Sequence, residues 1–233
     1  MFFPDRIKSI KPNDKVLEIG PGATPHFRSD VFLELLYEND NERIAQSGHV
    51  GILETEKDIV YYDGGRFPFK DNEFDYVICS HVLEHVPNAD VFLSEIQRVA
   101  KKGYLEFPTI YYDYIYNFPE HILFAIEKKG IIYWMTKEES ELNKYKDIQK
   151  FFYRTCELKY HSMINDLKQF YFQGFEWFDK IESVKVNSFE KITFDLDLID
   201  LKPKSNIITN AEDLYKSISF KKFLKYKIIH LFK

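Results

Sequence analysis

Five short apolar segments in the first 109 residues constrain the fold of this chain most strongly. Each is bounded by glycine, proline or polar residues, and together they cover residues 15–22, 30–36, 58–65, 74–80 and 103–109. Several are near-continuous apolar runs, which are typical of strands buried on both faces of a parallel sheet. A helical pattern separates the fourth and fifth segments, with Asn88 as its cap and Gly103 at its end. Such strand–helix–strand units predict an α/β fold, a doubly wound, mostly parallel Rossmann-like sheet with helices on both faces.

The pattern changes after residue 110. Residues 110–135 are rich in aromatic side chains, and Gly130 marks a hairpin turn. Thr136 and Glu139 form a capping-box signature that predicts a long helical stretch to about residue 170. Two paired strands are predicted over 169–186. We expect residues of about 110–170 to form an inserted helical and aromatic lid around the site of the acceptor substrate.

Length and composition limit the classes of protein that the chain can represent. With 233 residues, we expect one domain over 1–200 and a separate tail over 201–233. The net charge is −5, from 32 Lys and Arg against 37 Asp and Glu, which argues against nucleic acid as a partner. The two cysteines, Cys79 and Cys156, are too few for a disulfide framework or a cysteine-based zinc site. With no signal-peptide pattern and no long apolar run, a cytoplasmic protein is expected.

The segment His81–His85 reads H-x-x-E-H, a spacing that also occurs in one class of zinc peptidases. Two histidines four residues apart can hold one ion if a helix of several turns supports them. Here a predicted strand leads directly into His81, and Pro87 ends any helix soon after His85. No third ligand stands at a familiar spacing. We therefore expect no metal site, and a zinc-dependent hydrolase remains the less favoured alternative.

Three further loops follow predicted strands. The sequence "EIGPG" places Glu18 at the end of a strand, and its glycines allow the backbone to approach a ligand closely. It is not a dinucleotide fingerprint, because Pro25 stands where a third glycine would be needed. Glu34 follows the second strand, where an acid can accept both hydroxyls of a ribose. Asp63 follows the third strand and can accept a hydrogen bond from an adenine amine.

Three phrases, in this order, resemble the class I S-adenosylmethionine-dependent methyltransferases, in the small-molecule subgroup with the SHVLEHV signature. They are "VLEIGPG", "DGGRFPFKDNEFDYVICSHVLEHV" and "FLSEIQRVAKKGYLEFP". The resemblance covers about residues 13–121. It departs from the family over 37–57, where the usual long helix between the second and third strands is not evident.

The resemblance implies S-adenosyl-L-methionine as cofactor and assigns contacts to it at each loop. The first loop would orient the amino group and wrap the methionine and ribose, through Glu18, Gly20, Pro21 and Gly22. The second would bind the ribose through Glu34, and the third the adenine through Asp63 and Gly64. The floor beside the sulfonium would consist of Cys79, Ser80 and His81.

The acceptor and the catalytic base stay open at this stage. A hydroxyl or amine acceptor must lose a proton, which calls for a base such as histidine, whereas a carboxylate acceptor needs none. His81 and His85 are the candidate catalytic residues, and His121 is a further candidate base. The acceptor is expected to be a small molecule or a glycan or lipid precursor. A cofactor-binding protein without activity is the other alternative.

Residues 210–233 predict a basic amphipathic helix that Asn210 would cap. Its apolar face can dock on the domain or on a second copy in a homodimer, and we favour this docking over contact with a membrane. That alternative is peripheral contact with an anionic membrane surface through the lysines beside the apolar face.

Overall fold

The computed structural model of the protein describes residues 1–39, 41–43 and 53–195. Within it, Met1–Thr193 forms one compact unit. The predicted tail at 201–233 and its amphipathic helix lie outside the described residues. In the part of the chain that is described, no helix combines the length and apolar character needed to cross a membrane.

A six-stranded sheet forms the centre of the unit, in the order β3-β2-β1-β4-β5-β8. All neighbouring pairs are parallel except β5 and β8, which are antiparallel. The strands are β1 Val16–Ile19, β2 Val31–Leu35, β3 Asp58–Tyr62, β4 Tyr76–Ser80, β5 Lys102–Pro108 and β8 Phe172–Phe178. The protein is thus an α/β fold with a mostly parallel central sheet flanked by helices, and the first five strands match the five predicted apolar segments.

Five α-helices lie wholly within the described residues, and residues 41–43 are also helical. The five are α1 Ala89–Val99, α2 Ile110–Tyr116, α3 Lys146–Glu157, α4 Ser162–Tyr171 and α5 Phe189–Ile192. Helix α1 begins as predicted, because the Asn88 side chain accepts a hydrogen bond from the Val91 backbone N–H at 3.2 Å. Its predicted end at Gly103 is wrong. The helix stops at Val99, and Gly103 lies inside β5, where a Cβ atom would stand 2.3 Å from the Val77 carbonyl oxygen.

A second, three-stranded sheet is built from β6 Leu123–Lys128, β7 Ile131–Thr136 and β9 Glu182–Lys185, in that order. The hairpin turn between β6 and β7 falls at Gly130, as predicted. The predicted pairing within 169–186 is wrong. Strand β8 joins the edge of the main sheet beside β5, and β9 pairs in parallel with β7.

The predicted continuous helix from 136 to 170 is also wrong. Thr136 and Glu139 do form reciprocal hydrogen bonds, with the Glu139 N–H donating to Thr136 Oγ1 at 3.2 Å. They close a turn rather than open a helix. A 3-10 turn follows at Leu142–Tyr145, and α3 and α4 are separate helices, with Lys159 between them in the left-handed region at φ +64°. A non-glycine residue in that conformation interrupts a right-handed helix.

The core lies mainly between one face of the central sheet and the elements that cover it. Leu93 and Ile96 of α1 pack there with Val77 of β4, and Ile132 and Trp134 of the second sheet close the same cluster. These side chains are almost fully buried, which is the main source of stability for the arrangement. The core thereby fixes the carboxyl ends of β1, β2 and β4, and the candidate site lies at those ends.

Candidate functional site

A cavity opens at the carboxyl ends of the central strands, between β1 and β4. Strands β2 and β3 lie on one side of this point and β5 lies on the other, so it is the switch point of the sheet, where open α/β sheets place their ligands. The lining residues come from the ends of β1, β2 and β3, from the segment after β2 and from the segment after β4. They are Ile19, Gly20, Gly22, Leu33, Glu34, Leu35, Tyr37, Arg43, Tyr62, His81, Val82, His85 and Val86.

The loop after β1 turns sharply at two glycines. Gly20 has φ +59° and Gly22 has φ +57°, both in the left-handed region that glycine adopts without strain. At Gly20 the backbone also passes close to Val82, because a Cβ atom there would lie 2.5 Å from Val82 Cγ2. Glycine at position 20 thus lets this loop pack closely against the segment after β4, and it also exposes backbone to the cavity.

Glu18 is placed differently from Gly20 and Gly22. Its side chain is buried away from the cavity lining and accepts hydrogen bonds from the His26 N–H at 2.8 Å and from Ser29 Oγ at 2.6 Å. Burial raises the pKa of Glu18, and these hydrogen bonds offset only part of the effect. In this structure Glu18 braces the loop that carries the glycines.

Glu34 lies at the end of β2 and faces the cavity. Its carboxylate stands 4.0 Å from the Arg43 guanidinium, and both side chains are largely buried. Burial raises the pKa of Glu34, while the charge of Arg43 acts in the opposite direction. Tyr37 and Tyr62 provide ring surface beside this carboxylate. The Glu34 carboxylate can therefore accept hydrogen bonds from hydroxyl or N–H groups of a ligand in the cavity.

Apart from His81, the other predicted cofactor residues do not line the cavity. Pro21 lies in the glycine loop without reaching the lining. Asp63 is exposed and accepts a hydrogen bond from the Gly65 N–H at 3.0 Å, which closes the turn that contains Gly64. Cys79 is buried and is not part of the lining, and Ser80 donates its hydroxyl to Glu106 at 3.1 Å.

His81 joins the end of β4 to the cavity. Its backbone is left-handed at φ +58°, a conformation that costs a non-glycine residue about 1–3 kcal/mol and that clusters at functional sites. Both ring nitrogens are engaged: Nε2 lies 3.0 Å from Glu106 Oε1, and Nδ1 lies 3.3 Å from Glu84 Oε1. Burial opposes the charged ring, but the two carboxylates outweigh it and raise the pKa of His81 to about 9. His81 is therefore a cation at neutral pH.

Glu106, on β5, is buried and receives five donors. Besides His81, these are the backbone N–H groups of Phe2 at 2.5 Å and Phe3 at 2.9 Å, the Ser80 hydroxyl, and the Tyr104 hydroxyl at 2.6 Å. Burial raises the pKa of Glu106, but the donors more than compensate, and the pKa falls to about 2. Glu106 thereby ties the N-terminal segment to the central sheet.

The HVLEH segment does not form a helix that could hold both of its histidines against one ion. Only Leu83–His85 is helical, as a single 3-10 turn, and His81 precedes it. Glu84, in the middle, is buried; its ion pair with His81 Nδ1 at 3.3 Å lacks hydrogen-bond geometry, and no described residue donates a hydrogen bond to either carboxylate oxygen. Burial raises the pKa of Glu84, but the neighbouring His81, His85 and His121 more than offset this and lower it to about 2.

His85 and His121 face each other next to Glu84, with ring centroids 5.0 Å apart. His85 Nδ1 lies 3.0 Å from the Glu120 carbonyl oxygen, and His121 Nδ1 lies 2.8 Å from Asp113 Oδ1. Burial lowers the pKa of His85. Burial also lowers the pKa of His121, but the Asp113 carboxylate outweighs this effect, so the pKa of His121 is raised.

A second hollow of about 430 Å³ lies among aromatic side chains from the N-terminal segment and the region after β5. Phe2, Tyr112, Phe118 and Tyr153 form much of its wall. Phe2 makes an edge contact with His81, with centroids 5.3 Å apart, and Phe118 stacks on His121 at 5.1 Å. Two rings that line the hollow therefore contact His81, which lines the first cavity, and His121, which lies beside His85.

Sequence reasoning missed several residues of the cavity and its surroundings. Arg43 and Tyr37 fall in a stretch without clear periodicity, so no sequence signal marked them. Tyr62 is the last residue of β3, within the third apolar segment, and could have been assigned from its place before the Asp63 turn. Glu106 is the glutamate of "YLEFP", and a charged residue within a buried strand was the available signal.

Comparison with known proteins relates part of the chain to methyltransferases. Residues 35–106 match the family model described as "Methyltransferase domain". A sterol 24-C-methyltransferase of Gibberella zeae is 35% identical over 101 residues, which cover 40% of this chain and 27% of that protein. An uncharacterised protein of Methanocaldococcus jannaschii is 28% identical over 106 residues, which cover 44% of this chain and 49% of that protein. The chain thus spans half or less of the length of these curated relatives.

Solved structures with similar folds include three that share little sequence with this chain. The PH0226 protein from Pyrococcus horikoshii is 21% identical, covers 54% of this chain and 63% of that one, and has a TM-score of 0.35. A SAM-dependent methyltransferase from Methanosarcina mazei is 17% identical, with coverages of 52% and 69% and a TM-score of 0.31. One from Mesorhizobium loti is 12% identical, with coverages of 53% and 57% and a TM-score of 0.33. At such TM-scores, the fold assignment rests on the strand order of this chain itself.

Proposed function

We propose that this chain is an S-adenosylmethionine-dependent methyltransferase. The observation that carries the proposal is the cavity at the switch point of the sheet, where two left-handed glycines and the Glu34 carboxylate face the same space. The methyltransferase-domain match over residues 35–106 supports it, because that segment begins at the end of β2 and contains His81. A zinc hydrolase built on both histidines of HVLEH is less favoured, since they do not share a helix.

The residues around the cavity fit this cofactor. Backbone at Gly20 and Gly22 can approach its methionine and ribose part, and Glu34 can accept hydrogen bonds from both ribose hydroxyls. Tyr37 and Tyr62 offer ring surface for the adenine. Glu18 would act through the loop that it braces, while Asp63 and Gly64 would contribute at the edge of the adenine site. Pro21, Cys79 and Ser80 would support this wall from behind.

When bound, the cofactor supplies a methyl group already activated on a sulfonium, so the protein mainly has to align the acceptor and exclude water. We assign the acceptor to the aromatic hollow beside Phe2, Tyr112 and Phe118. Its apolar walls suit a small molecule or a glycan or lipid precursor that presents a ring or hydrocarbon face. Helices α3 and α4 and the α2 segment would set its specificity.

The two predicted catalytic histidines differ in what they can do. His81 is held as a cation between two carboxylates, so we assign it to positioning and to charge balance beside the sulfonium site. His85 keeps Nε2 free of hydrogen bonds to described residues, and its lowered pKa favours the neutral ring. A free imidazole nitrogen beside the cavity can accept a proton or bind a metal ion.

Isothermal titration calorimetry with S-adenosylmethionine and with its demethylated product tests the proposal. We expect both to bind to the unmodified chain, and Glu34→Ala to weaken binding by about 1.5–3 kcal/mol, because it removes charged hydrogen bonds to the ribose. Glu54→Ala, at an exposed carboxylate, is the matched control and should bind as the unmodified chain does. Absence of binding of either compound at millimolar concentration would contradict the cofactor assignment.

A further inference from the structure

Three side chains on two separate segments converge beside the cavity. One carboxylate oxygen of Glu84 and one ring nitrogen each of His85 and His121 all lie within 4.8 Å of one another. We propose that Glu84, His85 and His121 bind a divalent transition-metal ion, with Zn²⁺ as the best match. The ligand set does not include Gly20, Gly22 or Glu34, which we assign to the cofactor, although His85 lines the same cavity.

The first argument is the state of the Glu84 carboxylate. It is 2% exposed, and neither oxygen accepts a hydrogen bond from any described residue. The nearest polar contacts are His81 Nδ1 at 3.3 Å and His85 Nε2 at 3.9 Å. His81 is a charge partner at this distance but donates no hydrogen bond of normal geometry to Glu84, whereas buried carboxylates normally accept several hydrogen bonds. An ion bound between Glu84 and the two histidines would supply the missing partner.

The second argument is the orientation of the histidines. Each has its Nδ1 held by an oxygen acceptor, the Glu120 carbonyl for His85 and the Asp113 carboxylate for His121. An oxygen acceptor fixes the proton on Nδ1 and leaves the lone pair on Nε2. This is the outer-shell arrangement that accompanies histidine ligands in metal sites, where it sets the tautomer and the ring direction.

The third argument is how the backbone assembles the cluster. The Ile122 N–H donates to the Glu84 carbonyl oxygen at 2.8 Å, which joins the start of β6 to the 3-10 turn that carries Glu84 and His85. This hydrogen bond places His121 next to a residue 37 positions earlier in the chain. The ligands are therefore positioned by regular backbone contacts rather than by exposed side chains that meet by chance.

The chemistry of the ligands selects the kind of ion. Two imidazoles and one carboxylate are a known ligand set of zinc enzymes, in which a fourth position stays open. Magnesium and calcium prefer oxygen ligands and would gain little from two histidines. His85 also lines the first cavity, so an ion bound by these ligands would lie at its wall. In the H-x-x-E-H pattern of peptidases both histidines of the segment bind the ion and the glutamate is the base, whereas here the glutamate is a ligand and His121 takes the place of His81. The proposal therefore replaces the expectation from sequence that there is no metal site.

The test is direct measurement of zinc binding to the full chain. After treatment with a chelator and dialysis, calorimetric titration with ZnCl₂ should give one site per chain. X-ray absorption of the zinc-loaded protein should show two imidazole nitrogens and one carboxylate oxygen at about 2.0–2.2 Å. Absence of saturable binding, or a spectrum with fewer than two imidazoles, would overturn the proposal without any variant.

Variants then assign the ligands. Glu84→Gln and His121→Ala should each weaken zinc binding by about 100-fold or more, and Asp113→Asn by about 10- to 100-fold through the orientation of His121. His161→Ala removes an exposed histidine outside the cluster and should leave zinc affinity unchanged. Undiminished binding in Glu84→Gln would overturn the assignment. Titration with S-adenosylmethionine in the presence and absence of chelator tests cofactor binding separately from zinc binding. Failure of one of the two proposals would not change the result expected for the other.

Discussion

Two buried glutamates, Glu106 and Glu84, both contact the ring of His81, yet their surroundings are opposite. Glu106 receives five donors from backbone and side chains. Glu84 receives no hydrogen bond from any described residue, although it is just as deeply buried. The first carboxylate is saturated and holds the N-terminal segment on the sheet. The second is ion-paired with His81 but accepts no hydrogen bond from a described residue, and it lies beside the potential ligand nitrogens of His85 and His121.

The comparison separates two roles that burial alone does not distinguish. A buried charge with a full set of donors contributes to the folded state, and its removal leaves those donors unpaired. A buried carboxylate that is held by ion pairing alone recovers less of its desolvation cost, so exchanging it for a neutral amide should cost less. The pKa of each carboxyl is lowered to about 2, so the hydrogen bonds, rather than the direction of the pKa shift, tell them apart.

The largest expected effect comes from exchanging each carboxylate for an amide. In either variant His81 keeps one carboxylate partner, so the variants differ in the hydrogen bonds that are lost. Glu106→Gln leaves at least two buried donors without an acceptor, and we expect the free energy of unfolding to fall by about 3–5 kcal/mol. Glu84→Gln should cost about 1 kcal/mol in the metal-free chain, since no hydrogen bond is broken.

Urea unfolding followed by circular dichroism checks both values, with chelator present so that metal binding does not contribute. Equal losses in the two variants would contradict the distinction between a saturated and an unsatisfied carboxylate. If Glu84→Gln proved the more destabilising, Glu84 would instead be the structural residue of the pair.

A smaller effect is expected from one donor of Glu106. The Tyr104 hydroxyl donates to Glu106 Oε2 at 2.6 Å, and Tyr104→Phe removes this charged hydrogen bond, which should cost about 2 kcal/mol. Tyr171→Phe is the matched control, because the Tyr171 hydroxyl is buried without a hydrogen-bond partner among the described residues. It should leave stability unchanged or raise it by up to about 1 kcal/mol. Thermal unfolding of both variants against the unmodified chain measures the difference, and equal losses would contradict the contrast.

Much of the fold could be predicted from the sequence, because the relevant signals are local. The five apolar segments became β1 to β5, and Asn88 caps α1 as its side chain and position indicated. The errors fall where pairing depends on distant residues. Nothing in the sequence of β9 shows that it pairs with β7 instead of with β8, which precedes it directly. Likewise, the Thr136 and Glu139 pair forms its hydrogen bonds without a helix behind it.

In the candidate site too, residues with a local sequence signal could be predicted, and those that depend on distant contacts could not. Four residues of the cavity could be identified from their sequence motifs or from their place after a predicted strand, and the structure brings them together: Gly20, Gly22, Glu34 and His81. The partners of Glu84 could not be predicted, because His121 reaches it through a backbone contact across 37 positions. The donors of Glu106 come in part from Phe2 and Phe3, more than 100 residues away in sequence. Motif spacing identifies candidate residues, whereas their hydrogen-bond state depends on the tertiary structure.

The smallest expected effect is the loss of stability at low pH that is due to Glu106. The pKa of Glu106 falls from 4.5 to about 2 on folding, so the unfolded chain binds a proton there at higher pH than the folded chain does. The contribution of the carboxylate is thus complete above about pH 4.5 and decreases as the pH falls toward about 2, by about 1.4 kcal/mol for each unit. Glu106→Gln cannot titrate at this position. The difference in unfolding free energy between the unmodified chain and Glu106→Gln should therefore shrink by about 1.4 kcal/mol between about pH 6 and about pH 3.5. Using this difference cancels the titration of the other carboxylates, and a difference that stays constant or grows in acid would mean that Glu106 is not the saturated carboxylate described here.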